Sequence, residues 1–296
     1  MSITSAMFTG VSGLLSNAEG INVIGNNLSN VNTIGFKGSR MLFSDMLSTS
    51  IGNGSQIGRG TQIQKADNIF SQGSFENTES VTDLAIQGNS FFALGKPEGN
   101  AQVAAQSSAF LSRAGTFRVD GSFHLVNPEG YQVLDTAGNP ILFQNSATMD
   151  QAGDFAKVTT IESSGQITYV DVLGDTYYYA GSGVAGVATS GGVPAPADGN
   201  RIAVINPPNA GALDKIGGSL FQNAAGSGIP AAAFTSVSNT ANGTTEKMFS
   251  NSLEQSNVDM ASQFVKMIQT QRAYSANSKT ITAADQMTQE LLNLVR

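Results

Sequence analysis

The sequence predicts a multidomain α and β protein whose long N- and C-terminal α-helices pair as a coiled coil, with a β-rich domain inserted between them. Apolar residues recur every three or four positions at both chain ends, which is the spacing of one helix face. Between the ends the pattern changes to short alternating runs punctuated by glycine, asparagine, aspartate and proline, which is typical of strands and turns. The chain has 296 residues, more than one domain usually contains. Two domains are therefore expected.

The first segment is predicted to form an amphipathic helix that is unstable alone. Four glycines interrupt it, and each costs about 1 kcal/mol of helix stability relative to alanine. Glu19 is the only charged side chain before Lys37, so the face opposite the apolar stripe is also poorly suited to water. We expect this helix to pack on several sides, with its glycines permitting close approach. Its stripe comprises Ile3, Met7, Val11, Leu14, Ala18, Ile21, Leu28 and Val31, and Ile24 and Leu15 widen it.

The last segment repeats this pattern over a longer stretch that ends near Val295. Asn257 or Ser256 is the expected N-cap, with Asp259 favourably placed in the first turn. Because neither helix would be stable alone, we predict that the two apolar stripes bury each other. The spacing of the second stripe is close to that of a heptad seam. The second stripe comprises Met260, Phe264, Met267, Ile268, Gln271, Tyr274, Ile281, Ala284, Met287, Leu291 and Leu294.

The middle of the chain is predicted to be strand-rich. Residues 116–126 alternate apolar and polar side chains around Asp120-Gly121, a strong hairpin signal. Stretches 44–64 and 231–245 are rich in Gly, Ser and Thr, so we interpret both as linkers. Further strands are expected at 84–86, 91–94, 131–134, 158–161, 167–172, 176–179 and 202–205. The expected division is 1–31 plus 257–296 for the helical coiled-coil domain, 32–70 plus 236–256 for an extended connecting region, and 71–235 for the β-rich outer domain.

Charge and composition exclude several classes of protein. The formal net charge is −7, and the acid excess lies entirely in residues 71–250, with seven basic and fifteen acidic side chains. No basic face suited to nucleic acid is evident. Cysteine is absent, which excludes disulfides and cysteine-based metal sites. The sequence contains no apolar run of about 18 residues that would span a membrane. It also has no recognisable secretory signal, so export, if it occurs, is expected to use a route independent of a cleaved signal peptide.

Candidate chemistry is sparse, and we predict no catalytic, cofactor-binding or metal site. The single histidine, His124, is interpreted as an exposed strand residue because no G-x-S-x-G elbow accompanies it and one histidine cannot hold a metal. Residues 181–186 match G-x-G-x-x-G, but glycines and prolines follow instead of a helix, so we interpret them as a loop. An extracellular carbohydrate-binding or carbohydrate-active β domain remains an alternative.

Four stretches carry a resemblance to a known family. Residues 25–37 read Gly-Asn-Asn-Leu-Ser-Asn-Val-Asn-Thr-Ile-Gly-Phe-Lys, and residues 83–92 read Asp-Leu-Ala-Ile-Gln-Gly-Asn-Ser-Phe-Phe. Together with 113–123 and 267–279, they resemble the bacterial flagellar rod and hook proteins. The resemblance implies an extracellular axial subunit of the flagellum that is exported by the flagellar type III apparatus and polymerises into a helical tube. It also implies terminal helices in the inner wall and the strand-rich domain outside.

The finer assignment favours the flagellar hook, a curved tube that acts as a universal joint and transmits motor torque to the filament. After Leu47 the chain reaches Gly58-Arg59-Gly60 without the longer insertion that many distal rod proteins carry. A distal rod subunit, part of a rigid drive shaft, is the alternative. The resemblance implies as partners further copies of the chain, rod and hook–filament junction proteins at the two ends, the export apparatus and the hook cap.

The residues expected to pack between subunits come from both terminal stripes and from the motif that follows the first helix. They are Met7, Val11, Leu14, Ile21, Leu28, Asn30, Val31, Gly35, Phe36, Phe264, Ile268, Gln271, Tyr274, Ile281, Met287, Leu291 and Leu294.

Overall fold

The protein forms two compact units in a computed structural model. The first unit comprises Met1–Val31, Lys37–Ile69 and Val258–Arg296, and the second comprises Asn32–Phe36 and Phe70–Asn257. The described residues are 3–52, 55–96, 109–143, 155–172, 174–181, 187–188, 200–224, 226–230 and 246–294. Helices at both ends and many strands between them confirm the predicted mixture of α and β structure. The exact three-part division expected above stays a prediction.

Two long helices dominate the first unit: α1 spans Ile3–Ser29 and α2 spans Met260–Leu294. They pack antiparallel, because Gly13 lies beside Asn277 and Gly20 beside Thr270. A Cβ atom added to Gly13 would lie 2.6 Å from the Asn277 Nδ2 atom. Glycine therefore allows the two helix backbones to approach closely, as the sequence indicated.

The cap of α2 differs from the expected one. The Asp259 carboxylate accepts hydrogen bonds from the backbone N–H groups of Ala261 at 3.1 Å and Ser262 at 3.3 Å, so Asp259 is the capping residue. Asn257 instead donates its side-chain amide to the Ser71 carbonyl at 3.1 Å. The prediction of Asn257 or Ser256 as the cap was wrong because a distant segment of the chain engages Asn257.

A β-hairpin completes the first unit. Strands β1 (Ser39–Asp45) and β4 (Thr61–Asn68) pair antiparallel with an irregularity between Leu42 and Phe43. The short strands β2 (Thr49–Gly52) and β3 (Ser55–Ile57) pair within the hairpin. Residues 44–64 are thus largely strand, and their interpretation as a linker was wrong. Six of the eight β4 residues are exposed, so the strand has no alternating apolar face that sequence inspection could recognise.

Half of the strands that the structure describes in the second unit belong to one large sheet. Its order is β17-β18-β8-β7-β11-β10-β9, with β16 paired to β7. These strands are β7 (Phe91–Gly95), β8 (Ala109–Ser112), β9 (Arg118–Val119), β10 (Leu125–Val126), β11 (Gln132–Val133), β16 (Val204–Ile205), β17 (Asp214–Gly217) and β18 (Leu220–Gln222). A 3₁₀ helix spans Ala210–Ala212.

A second sheet has the order β12-β13-β14-β15, and two strand pairs complete the unit. The chain after residue 246 supplies one strand to each pair, β19 beside β6 and β20 beside β5. The bounds are β5 (Phe75–Asn77), β6 (Leu84–Gln87), β12 (Phe155–Ile161), β13 (Ile167–Asp171), β14 (Thr176–Tyr178), β15 (Val187–Ala188), β19 (Lys247–Ser250) and β20 (Ser252–Glu254).

The core of the second unit lies on both faces of β7. Phe92 and Leu94 belong to one buried cluster, whereas Phe91 and Ala93 belong to another. Because successive side chains of a strand point to opposite faces, a strand buried on both sides reads as a continuous apolar run. The sequence Phe-Phe-Ala-Leu at 91–94 therefore predicted this strand correctly, with an end within one residue of the observed one.

The predicted hairpin at residues 116–126 is confirmed with a different turn. Leu125 pairs with Val119, and the loop between them places Phe123 at φ 61°. The Asp120 carboxylate accepts hydrogen bonds from the backbone N–H groups of Ser122 and His124, each at 2.8 Å. The Gly-rich loop at 182–186 and the linker at 231–245 lie outside the described residues.

Candidate assembly surface

The predicted packing residues of α1 occupy two environments. Met7, Leu14, Ile21 and Leu28 are half-buried, and Val11 is exposed. Asn30 and Val31, just beyond the helix, are half-buried. Leu15, which widens the predicted stripe, is 60% exposed, and Phe8, which lies outside it, is 73% exposed. The apolar surface of α1 therefore extends beyond the predicted stripe at Phe8.

The predicted stripe of α2 faces mostly outward. Phe264, Ile268, Met287 and Leu291 are about half exposed, and Leu294 is 82% exposed. Gln271 and Tyr274 are exposed as well. Ile281 is the exception, since it lies beside Gly10 of α1.

Small and polar side chains of α2 meet α1 instead. Thr270 lies beside Gly20 and Asn277 beside Gly13, while Ala284 is the one buried residue of α2. At Gly13 and Gly20 the helices approach so closely that polar side chains of modest size lie between them. The expectation that the two apolar stripes bury each other is therefore wrong for most of α2, whose large side chains remain available for other contacts.

Polar contacts fix the hairpin to α1. The buried Asn27 amide donates to the Ser39 carbonyl at 2.7 Å and accepts from the Ser39 N–H at 2.9 Å. The Thr61 N–H donates to Ser12 Oγ at 3.3 Å where the hairpin returns. Asn27 was not among the predicted site residues, although it lies within the 25–37 motif.

An apolar groove lies where α1 meets the hairpin. Its volume is about 520 Å³, and it is open to solvent. Leu47 is 91% exposed at this place. The side chains around it are Phe8, Val11, Leu15, Met46, Leu47 and Arg59.

The motif after α1 is anchored within the second unit. Gly35 has φ 67°, and its N–H donates to the Glu254 carbonyl at 2.8 Å. Ser219 Oγ donates to the Ile34 carbonyl at 3.1 Å, and the Lys215 ammonium lies 3.8 Å from the centre of the Phe36 ring. Gly35 and Phe36 are buried there, so both of these predicted packing residues contact their own chain.

Sequence inspection missed a buried ion pair in the second unit. Arg113 Nη1 lies 3.2 Å from Glu254 Oε2, and both side chains are almost fully buried. Arg113 also donates to the Gly88 carbonyl at 2.6 Å, and Glu254 accepts the Gly73 N–H at 2.8 Å. Burial lowers the pKa of Arg113, and the neighbouring Glu254 carboxylate opposes that shift. Residues 113 and 254 lie 141 positions apart, and no local pattern relates them.

His124 is buried, so its interpretation as an exposed strand residue was wrong. It pairs in a β-bridge with Leu142, a partner too far away in the chain for the local pattern to indicate. Burial lowers the pKa of His124, against the raising effect of Asp120. The Asp120 carboxylate lies 3.8 Å from His124 Nδ1.

Within the described ranges, no three His, Asp or Glu side chains are grouped as a metal ion would require. Of the helices that the structure describes, none is long and apolar enough to cross a membrane.

Helical chain ends, large outward apolar side chains and an inserted β unit are the attributes of a structural protein that assembles with others. Three family descriptions match the chain: "Flagella basal body rod protein" at residues 7–37, "Flagellar hook protein FlgE/F/G D1 domain" at 85–169, and "Flagellar basal body rod FlgEFG protein C-terminal" at 250–294. The chain belongs to the flagellar rod and hook protein family, whose members polymerise into a flagellar structure. The resemblance stated above is thereby confirmed.

The rod relatives match nearly the whole chain, whereas a hook relative matches about half of it. The flagellar basal-body rod protein FlgG of Bacillus subtilis (strain 168) is 33% identical over 98% of this chain and 99% of its own length. FlgG of Caulobacter vibrioides is 32% identical over 96% of this chain. The flagellar hook protein FlgE of Borreliella burgdorferi is 37% identical over 46% of this chain and 33% of its own length. The preference for the hook has no specific support from this comparison.

Proposed function

We propose that this protein is a distal rod subunit of the bacterial flagellum and acts mechanically, without enzymatic activity. The observation that carries this proposal is the full-length match to proteins named as basal-body rod proteins. A rod must transmit torque as a shaft, so its subunits need extensive permanent contacts with one another. Two long helices that expose large apolar side chains would supply such contacts.

The energetics are favourable for assembly. A fully buried Leu, Ile, Phe or Met side chain contributes about 1.5–3 kcal/mol, so completing the burial of a half-exposed one adds about 1 kcal/mol. Ten large apolar side chains are about half exposed or more: Phe8, Leu15, Leu47, Phe264, Val265, Ile268, Met287, Leu291, Leu292 and Leu294. Their sum of roughly 10 kcal/mol is comparable with the association cost of about 4–15 kcal/mol. Contacts with several neighbours at once would therefore be needed, as a helical polymer provides.

In the assembled state, we expect the ends of the chain to form coiled-coil contacts in the inner wall and residues 71–235 to face outward. Residues 32–70 and 236–256 would connect these layers. Further partners are the adjoining axial proteins at the two ends of the polymer and the flagellar type III export apparatus. Export without a cleaved signal peptide would deliver the chain to the growing structure outside the cytoplasm.

The hook is a second candidate, with the hook cap and the hook–filament junction proteins as its partners. Its support is the short connection from Leu47 to Gly58, which resembles that of hook proteins.

Locating the chain in isolated hook–basal bodies tests both candidates. We would attach an epitope tag at an exposed β17 position, such as Ile216, and image antibody-labelled particles by electron microscopy. Label on the straight rod would support the proposal, and label on the curved segment would establish the hook instead. Absence of label from particles that assemble normally in a tagged, motile strain would refute both.

A further inference from the structure

The last turn of α2 extends past the described part of α1. One step towards the N-terminus of α1 corresponds to one step towards the C-terminus of α2, as the pairs Gly20 with Thr270 and Gly13 with Asn277 show. This register places Ile3, the first described residue of α1, opposite Met287. Residues 290–294 therefore lie beyond Ile3, and Leu292 is 70% exposed there.

This helix end combines leucines with one acidic group. Leu291 and Leu294 lie three residues apart and form an exposed apolar ridge on the side of the helix that also carries Glu290, whereas the exposed Leu292 lies on the opposite side from Glu290. Glu290 forms no ion pair among the residues that the structure describes.

The groove between α1 and the hairpin has the complementary character. Its walls carry the exposed side chains Phe8, Leu15 and Leu47, and its charged lining residue is Arg59. Arg59 likewise forms no ion pair within the described part of the chain. The groove thus offers apolar surface and one cation where the helix end offers apolar surface and one anion.

We infer that the C-terminal end of α2 of one copy binds in the groove between α1 and the hairpin of a second copy, with Glu290 facing Arg59. The inference rests on the proposed function, because it names the surfaces through which a polymer of this chain would be built. The two surfaces are different, so the contact is head-to-tail and leaves a free groove and a free helix end on every pair. Repetition of such a contact produces an open helical assembly when its rotation does not close into a ring.

The same chain cannot fill its own groove with this ridge. Phe8 lies opposite residue 282 in the register above, and Leu291 is nine residues further along the same helix. At 1.5 Å per residue this distance is roughly 14 Å. Since α2 is continuous to Leu294, its end cannot fold back, and the occupant must be another molecule.

Disulfide formation between two single-cysteine variants tests the contact directly, because the native chain contains no cysteine. We would express Leu47→Cys and Leu294→Cys together in a strain that lacks the native gene, isolate its hook–basal bodies and oxidise them mildly. A disulfide requires Cα atoms within about 7 Å, and one that joins these two variants must connect different molecules. We expect a covalent dimer on a non-reducing gel.

The matched control replaces Leu47→Cys with Val172→Cys, an exposed apolar position in the second unit. This pair should give no dimer above background. Dimer in the control and not in the test pair would overturn the inference.

Charge reversal provides an independent test if a cysteine variant fails to assemble. Arg59→Glu and Glu290→Arg should each reduce the amount of the chain recovered in basal bodies, by up to about fivefold for an exposed pair. The double variant should recover most of the native amount. Failure of the double variant to exceed both single variants would refute the pairing.

Failure of the groove contact can be distinguished from failure of the proposed function. If native protein is found in basal bodies but neither the disulfide nor the charge rescue occurs, the groove assignment is wrong and the proposed function stands. If native protein is absent from flagellar structures, the proposed function fails and the inference fails with it.

Discussion

Replacing Gly35 with alanine should destabilise the second unit strongly. Its backbone has φ 67°, and a Cβ atom at this position would lie 2.4 Å from the backbone nitrogen of Ala114 and 2.6 Å from the carbonyl carbon of Arg113. Both neighbours are backbone atoms, so neither can rotate away as a side chain would. The substitution also displaces the Gly35 N–H from the Glu254 carbonyl, which it now meets at 2.8 Å.

Two contributions set the size of this effect. A non-glycine residue in the left-handed region costs about 1–2 kcal/mol. Inserting a methyl group into a space that has no room for it costs about 1–3 kcal/mol more. We therefore expect Gly35→Ala to lower the free energy of unfolding by about 2–5 kcal/mol.

Two control variants separate these contributions. Gly130 has φ 89° with no atom within 4 Å of an added Cβ, so Gly130→Ala should show the conformational cost alone, about 1–2 kcal/mol. Gly25 lies within α1 and is equally open, so Gly25→Ala should stabilise the helix by about 1 kcal/mol.

Urea unfolding of the purified full chain measures all three. Tryptophan is absent and five of the six tyrosines lie in the second unit, the exception being Tyr274, so tyrosine fluorescence reports on that unit. Circular dichroism at 222 nm would follow the helices of the first unit. If Gly35→Ala is no more destabilising than Gly130→Ala, the close backbone contact at residue 35 is not the constraint proposed here.

Three further predictions concern assembly, the buried ion pair and pH. Leu291→Asp should abolish assembly by placing an unpaired charge in a subunit contact, with tyrosine-monitored unfolding unchanged; normal flagellar structures would contradict this. Glu254→Leu should cost about 3–5 kcal/mol by stranding a buried guanidinium, and adding Arg113→Met should recover much of it; a single-variant loss below about 1 kcal/mol would argue against the pair. Burial raises the pKa of Asp135 above that of the unfolded chain, so its contribution to stability is greatest at low pH and is lost as pH rises through the folded pKa. Asp135→Asn should remove that decline, and a variant whose stability falls with rising pH as steeply as that of the native chain would contradict the assignment.

Sequence reasoning predicted most elements because their signals are local. The run at 91–94 predicted the central strand, and the alternating pattern around residues 120–121 predicted the hairpin. It missed the strand nature of 44–64 because β4 is exposed along most of its length. A strand without a buried face leaves no period-two pattern.

The candidate site was predicted less completely than the fold. The spacing of α2 identified its large apolar side chains but assigned them to the partner helix of the same chain. Gly13 and Gly20 decide otherwise, since α1 approaches closely there and Asn277 and Thr270 lie against them, while Ile281 beside Gly10 is an exception. The distance between two packed helices depends on the residues that both helices place at the contact. The apolar spacing within one helix shows only one of these two surfaces.

The sequence by itself determined that both ends of this chain are helical, that the middle is strand-rich and that the chain resembles the flagellar rod and hook proteins. These conclusions rest on periodicity and on contiguous motifs, which a linear chain displays directly. Only the tertiary structure decided that Arg113 meets Glu254, that Gly35 is fixed against a distant backbone, and that the apolar residues of α2 face outward. Each of these contacts joins residues that lie far apart in the chain. A local sequence pattern does not indicate such a contact.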